Sequence, residues 1–81
     1  MLPKRRENEK LFSTWEETKK GERRYSRIVQ GKLGWSAKYI KLVDKNEKTV
    51  KFWQEIYNDK GKLVEIQEKF PVDKGHKKIK K

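Results

Sequence analysis

The sequence predicts an α+β fold that is mostly β: an antiparallel meander of three to four strands with one short N-terminal helix. Three observations carry that prediction. Between Gly34 and Phe70 apolar and polar residues alternate in blocks of strand length, and β-branched and aromatic residues are frequent. Two polar segments divide this run. Asn58, Asp59, Lys60 and Gly61 have the composition of a type I turn closed by a glycine in the left-handed region, and residues 44–48 form a looser polar turn. Pro71, which lacks an N–H, then ends the last strand.

Side chains alternate faces along a strand, so each block splits by parity. Trp35, Ala37, Tyr39 and Val43 share one face with Lys41, and Val50, Phe52 and Ile56 share one with Gln54. In the last block Val64, Ile66 and Phe70 line up with Glu68. The common parity of Gln54 and Glu68 predicts a hydrogen bond between them if both are buried. The opposite parity collects Lys38, Ile40, Leu42, Lys51, Trp53, Tyr57, Leu63 and Lys69, together with Glu55 and Glu65.

Outside the meander the elements are shorter. Residues 1–10 are charged, contain Pro3, and read as a flexible basic arm. Residues 11–21 read as a short helix. Ser13 with Glu16, or Thr14 with Glu17, matches a capping box, the acids precede the lysines, and Gly21 supplies a stop. Two turns of helix do not stand alone, so Leu11, Phe12 and Trp15 are expected to pack on the sheet. Residues 23–32 read as a fourth strand at an edge, where arginines discourage edge-to-edge pairing. The single helix-plus-sheet domain is thus expected to span residues 11–76, ending in a turn over 71–76, with a basic tail over 77–81. One short helix covers one face of a sheet. The other face then curls toward a partial barrel, pairs with a second subunit or binds a partner.

Composition removes several function classes. The 81 residues make one small domain, and the absence of cysteine excludes a disulfide framework and thiolate metal sites. His76 is the sole histidine, so no site can draw two from one chain, and neither metal nor cofactor is expected. No glycine-rich phosphate loop, nucleophile elbow or zinc spacing occurs, so no catalysis is expected. The carboxylates Glu55, Glu65, Glu68 and Asp73 with His76 form an acid–base constellation, of which Glu68, Asp73 and His76 would carry any hydrolysis, and a structural pairing of Glu68 with a turn cap from Asp73 outweighs it. No apolar run reaches the roughly 20 residues of a membrane span and no signal-peptide region follows Met1, from which a cytoplasmic location is expected. Abundant Lys and Glu beside sparse Met, Asn and Gln is a composition common in hyperthermophile proteins.

Charge supplies the functional expectation. The chain carries a net +11, distributed as +2 over residues 1–10, +3 over 11–34, +2 over 35–71 and +4 over 72–81. Rings stack on bases and ammonium groups pair with phosphates. The sequence therefore predicts non-catalytic nucleic-acid binding. Lys38, Lys51, Trp53, Tyr57 and Lys69 would form a sheet face, and Arg5, Arg6, Lys77 and Lys78 would add phosphate contacts from the termini. Two features oppose this: most of the excess charge lies outside the meander, and Glu55 and Glu65 share the face. The alternative is a protein-interaction module, either a homodimer or an accessory subunit with an acidic partner. There the apolar residues of the same face form the interface core and the lysines its rim.

The strings Gly34-Trp35-x-Ala37-x-Tyr39-x-Lys41, Phe52-x-Gln54-Glu55-Ile56-Tyr57 and Leu63-Val64-Glu65-Ile66-x-Glu68-Lys69-Phe70-Pro71-Val72-Asp73-x-Gly75-His76 resemble a small prokaryotic domain family of unknown function. The resemblance covers residues 34–76. It implies that the segment from Pro71 to His76 belongs to the domain, and it implies no activity.

Overall fold

The computed structural model describes residues 3–71, and residues 75–78 as strand backbone. Helix α1 (Pro3–Leu11) is followed by strands β1 (Thr14–Glu17), β2 (Arg23–Gln30), β3 (Ser36–Val43), β4 (Thr49–Tyr57), β5 (Leu63–Phe70) and β6 (Gly75–Lys78). The six strands form one sheet in chain order, every neighbouring pair antiparallel. The edges among the described residues are β1 and β6, so the sheet is open rather than closed into a barrel. Among the described residues no helix is long and apolar enough to cross a membrane.

The predicted meander is present as β3, β4 and β5, and the predicted fourth strand as β2. The flanks differ from expectation. The helix lies over residues predicted to be a flexible arm, and the segment predicted to be helical contributes β1. In β1, Trp15 stands opposite Tyr25, and Thr14 and Glu16 stand opposite Ser26 and Arg24. That alternation of Trp15 with polar neighbours is a strand pattern, and it overrides the capping-box spacing. With β1 in place, β2 is an inner strand and not an edge. Strand β6 likewise takes up the start of the predicted tail, with Lys77 opposite Ile66 and Lys78 opposite Glu65.

The three β-hairpin turns β1–β2, β3–β4 and β4–β5 are built alike. In each, the N–H of the first residue donates to the carbonyl four residues on, at 2.9 Å for Thr18 to Glu22, Asp44 to Lys48 and Asn58 to Lys62. The first side chain closes the turn from within by accepting backbone N–H groups: Asp44 Oδ1 from Asn46 and Lys48, Asn58 Oδ1 from Lys60 and Lys62, Thr18 Oγ1 from Lys20 and Glu22. The fourth residue must adopt a left-handed backbone, which suits glycine. Gly21 (φ 82°) and Gly61 (φ 77°) fill that position in two turns, but in the third it is Glu47, at φ 66°.

A glutamate at that position is explained by its side chain. Glu47 is 2 % exposed and sits beneath α1. Its carboxylate accepts from Arg5 Nε at 3.0 Å, from Asn8 Nδ2 at 3.1 Å and from the Tyr25 hydroxyl. Asn8 Oδ1 accepts in turn from Lys41 Nζ at 2.9 Å. A second tie joins the helix to β2. Arg23 Nη1 donates to Glu9 Oε2 at 2.6 Å while its Nε donates to Glu17 Oε1 at 2.7 Å, and its guanidinium lies 5.5 Å from the Trp15 ring centroid. The apolar share of the docking is small: Phe12, just past the helix, is buried with Tyr25 and Val43, against Tyr39 and Phe52.

Burial pushes the Glu47 carboxyl up, but the hydrogen bonds from Tyr25, Asn8 and Arg5, together with the Arg5 charge, outweigh it and hold the carboxyl below its ordinary range. A depressed carboxylate stabilises the fold at pH above the ordinary glutamate value of about 4.3, and that contribution is lost as pH falls through the lower folded value. Glu47→Gln is therefore expected to flatten this part of the acid unfolding limb. Glu47→Ala is expected to cost about 3 kcal/mol at neutral pH in urea unfolding, through lost charge-assisted bonds. Glu47→Gly should cost about 1 kcal/mol less than Glu47→Ala, because it relieves the left-handed backbone. A glycine variant more stable than the parent would show that the turn, not the carboxylate, dominates.

Candidate nucleic-acid interface

The register divides the side chains between a helix side and an open side. On the open side stand Arg24 and Ile28 of β2, Lys38 and Ile40 of β3, Lys51, Trp53, Glu55 and Tyr57 of β4, and Ile66 and Glu68 of β5. Ile40 is fully buried there without help from the helix, flanked across the strands by Ser26 and Trp53. Four of the predicted face residues, Lys38, Lys51, Trp53 and Tyr57, are thus brought onto one face.

Their environment is more balanced than the sequence implies. Trp53 lies between cations, with Lys51 Nζ 5.3 Å and the Arg24 guanidinium 5.9 Å from its ring centroid. Glu55 ties both aromatic residues down, accepting from Trp53 Nε1 at 3.0 Å and from the Tyr57 hydroxyl at 2.7 Å. Lys38 stands directly opposite Glu55, Arg24 opposite Glu16, and Trp53 opposite Glu68. Two of the cations on this side, Lys38 and Arg24, therefore face carboxylates across the strands, whereas Lys51 stands opposite Leu42.

Lys69 is not on this face. The β4–β5 register shifts between Ile56 and Tyr57 and again between Phe52 and Trp53. Tyr57 pairs with Leu63 but Ile56 pairs with Glu65, so Val64 is an extra residue and parity flips beyond it. Glu65, Gln67 and Lys69 consequently move to the helix side, and Glu68 moves to the open side. The expected Gln54–Glu68 bond is corrected by the same shift. Gln54 stands opposite Gln67 and donates through Nε2 to the Tyr39 hydroxyl at 3.1 Å.

The helix side carries a cleft of about 270 Å³ between α1 and the sheet, lined by Leu11, Phe12, Arg27, Tyr39, Phe52 and Lys69. Its rings are mutually packed, Phe12 and Phe52 edge to face at 6.4 Å and Tyr39 and Phe52 tilted at 6.5 Å. The Arg27 guanidinium lies 5.4 Å from the Tyr39 ring centroid. The cross-strand neighbour of Arg27 is Tyr39, and Lys69 is the extra residue of the second register shift, so neither faces a carboxylate as Lys38 and Arg24 do. Among the described residues no carboxylate lines the cleft.

The terminal cations divide differently. Arg5 is held by Glu47, whereas Arg6 is exposed on α1. Lys77 and Lys78 are described as backbone of β6 only, and Asp73 and the His76 side chain lie outside the described residues. Arg24 and Arg27, which no motif marks, join the candidate residues because the register sets each beside an aromatic ring. Comparison with family models, curated proteins and solved structures gives no match to this chain, so its function rests on these residues alone.

The bond to Glu55, with burial and the nearby Glu55 charge, pushes the Tyr57 phenol up to about 12. The raised value stabilises the fold below the ordinary tyrosine pKa of about 10, and that stabilisation is lost as pH climbs through the folded value. In ultraviolet titration, the difference between the parent and Tyr57→Phe should show a tyrosinate midpoint near 12. Repeating that difference in a Glu55→Gln background should bring the midpoint down toward 10.

Proposed function

We propose that this chain is a non-catalytic nucleic-acid-binding protein. The observation that carries the reading is where the acids are used. Glu9, Glu17 and Glu47 form the ion pairs found among the described residues, and they engage only Arg5 and Arg23. Asp44 is turned onto its own turn and Glu55 onto Trp53 and Tyr57. These five carboxylates are drawn inward or onto neighbouring groups; Glu7, Glu16 and Asp59 stay exposed, but they are outnumbered by exposed cations such as Lys4, Arg6, Lys10, Lys19, Lys20 and Arg27. With a net +11 on 81 residues, the outward field is positive, which attracts phosphate backbones and releases their counterions. Arginines and lysines over Trp53 and Tyr39 add surfaces of the kind on which bases stack.

Self-association is the second reading, favoured by the β2–β3 hairpin. Leu33 is 90 % exposed at its tip with a left-handed backbone (φ 58°), beside exposed Ile28, Val29 and Trp35. An apolar residue that is both strained and exposed has no role in holding this fold.

A salt titration tests the first reading. Binding to labelled oligonucleotides is expected to persist at about 0.15 M salt, with log K falling linearly against log salt at about 0.7 per phosphate for single strands. Loss of all binding by that salt concentration, where charges beyond roughly 8 Å are screened, would mark the attraction as generic. Sedimentation equilibrium tests the second. A dimer at high micromolar concentration that Leu33→Asn abolishes supports it, and a monomer there removes it.

A further inference from the structure

We infer that the cleft between α1 and the sheet is a nucleobase pocket, which makes the partner a single strand with its bases free. The inference rests on the nucleic-acid reading above and deepens it to a site. Three features meet in the cleft. Phe12, Tyr39 and Phe52 give it an aromatic wall, Arg27 and Lys69 supply two cations, and no described carboxylate lines it. Its volume of about 270 Å³ falls just below the range of roughly 300–1,000 Å³ typical of drug-sized ligand sites, which suits one planar base better than a whole dinucleotide.

The chemistry follows from the arrangement. The Arg27 guanidinium already stacks on Tyr39 at 5.4 Å, and a guanidinium plane or a ring face accepts a base in the same way. Arg27 Nη1 donates to the Leu11 carbonyl at 3.5 Å; its remaining N–H groups and the Lys69 ammonium then meet the phosphates on either side of the inserted base. A duplex keeps its bases stacked and paired, and must pay to unstack one before it can enter. The open side lacks this combination, since Glu55 holds Trp53 and Tyr57 and stands opposite Lys38.

The probes are a labelled oligothymidylate, the matching oligouridylate, a duplex of equal length and an abasic strand of equal length. At about 0.15 M salt the parent should bind the single strands about tenfold more tightly than the duplex or the abasic strand. Arg27→Gln with Lys69→Gln should weaken single-strand binding by about tenfold and reduce the salt slope by about 1.4, two phosphates' worth. Lys19→Gln with Lys20→Gln, an equal charge change in the β1–β2 turn, should do markedly less. Arg27→Gln alone, at an exposed position, gives the same test at about half the slope change if the double variant unfolds.

Equal binding of the abasic strand, a preference for duplex, or equal losses in the cleft and turn variants overturns the pocket while leaving nucleic-acid binding standing. No binding by the parent to any probe overturns both.

Discussion

The buried carboxylate of Glu47 joins three parts of the chain that share little apolar surface. It accepts from Arg5 and Asn8 of the helix and from Tyr25 of β2, while its own backbone belongs to the β3–β4 turn. Helix α1 has nine residues, below the roughly 12–15 at which isolated helices become even marginal, so tertiary contacts must hold it. Phe12 is its main apolar anchor. The polar cluster supplies the rest, and it is fully satisfied: among the described residues no buried side-chain polar atom lacks a partner. Partly satisfied, such a cluster would cost more than it stabilises. The cost of the left-handed backbone at Glu47 is offset by the bonds its carboxylate makes from that position to Arg5, Asn8 and Tyr25.

The second constraint is the register between β4 and β5. An extra residue at Val64 reverses the parity of the strand beyond it, and a one-residue slip transfers every following side chain to the other face. This shift brings Glu68 beneath Trp53 and takes Lys69 to the aromatic rings of Phe52 and Tyr39. The two sides of the sheet consequently differ in kind. On the open side Lys38 and Arg24 face acids across the strands, and on the helix side Arg27 and Lys69 do not.

These two features also mark the limit of what sequence alone makes legible. The meander was readable because alternation and turn chemistry are local. Asn58 and Gly61 announce their turn, and Tyr39, Phe52 and Ile56 announce a common face. The helix was not readable, because the face it docks is polar. Arg5, Asn8 and Glu9 repeat with helical spacing but carry no hydrophobic periodicity, and a charged segment without that periodicity reads as an arm. Strand β1 was hidden for the converse reason, since Ser13 to Glu17 contains a genuine capping-box spacing that pairing with β2 overrides. Of the candidate site, Lys38, Lys51, Trp53 and Tyr57 follow from parity within one hairpin. Lys69 was misplaced because no local signal marks a bulge, and Arg27 was missed because its partner, Tyr39, is supplied by a neighbouring strand.

Fold and surface field have a common origin in this chain. Glu9, Glu17 and Glu47 are the acids that dock the helix, through Arg23 and Arg5. Glu47 is thereby buried, and Glu9 and the still exposed Glu17 are paired with Arg23, so none of the three presents an unpaired charge to an anionic partner. The helix so docked places Leu11 and Phe12 as one wall of the cleft, opposite Tyr39 and Phe52. The acids that hold the helix therefore build the cleft's apolar wall without contributing a carboxylate to its lining. Moving one of them outward would loosen the helix and oppose the cations in the same step, so stability and the positive helix side are coupled through the same side chains.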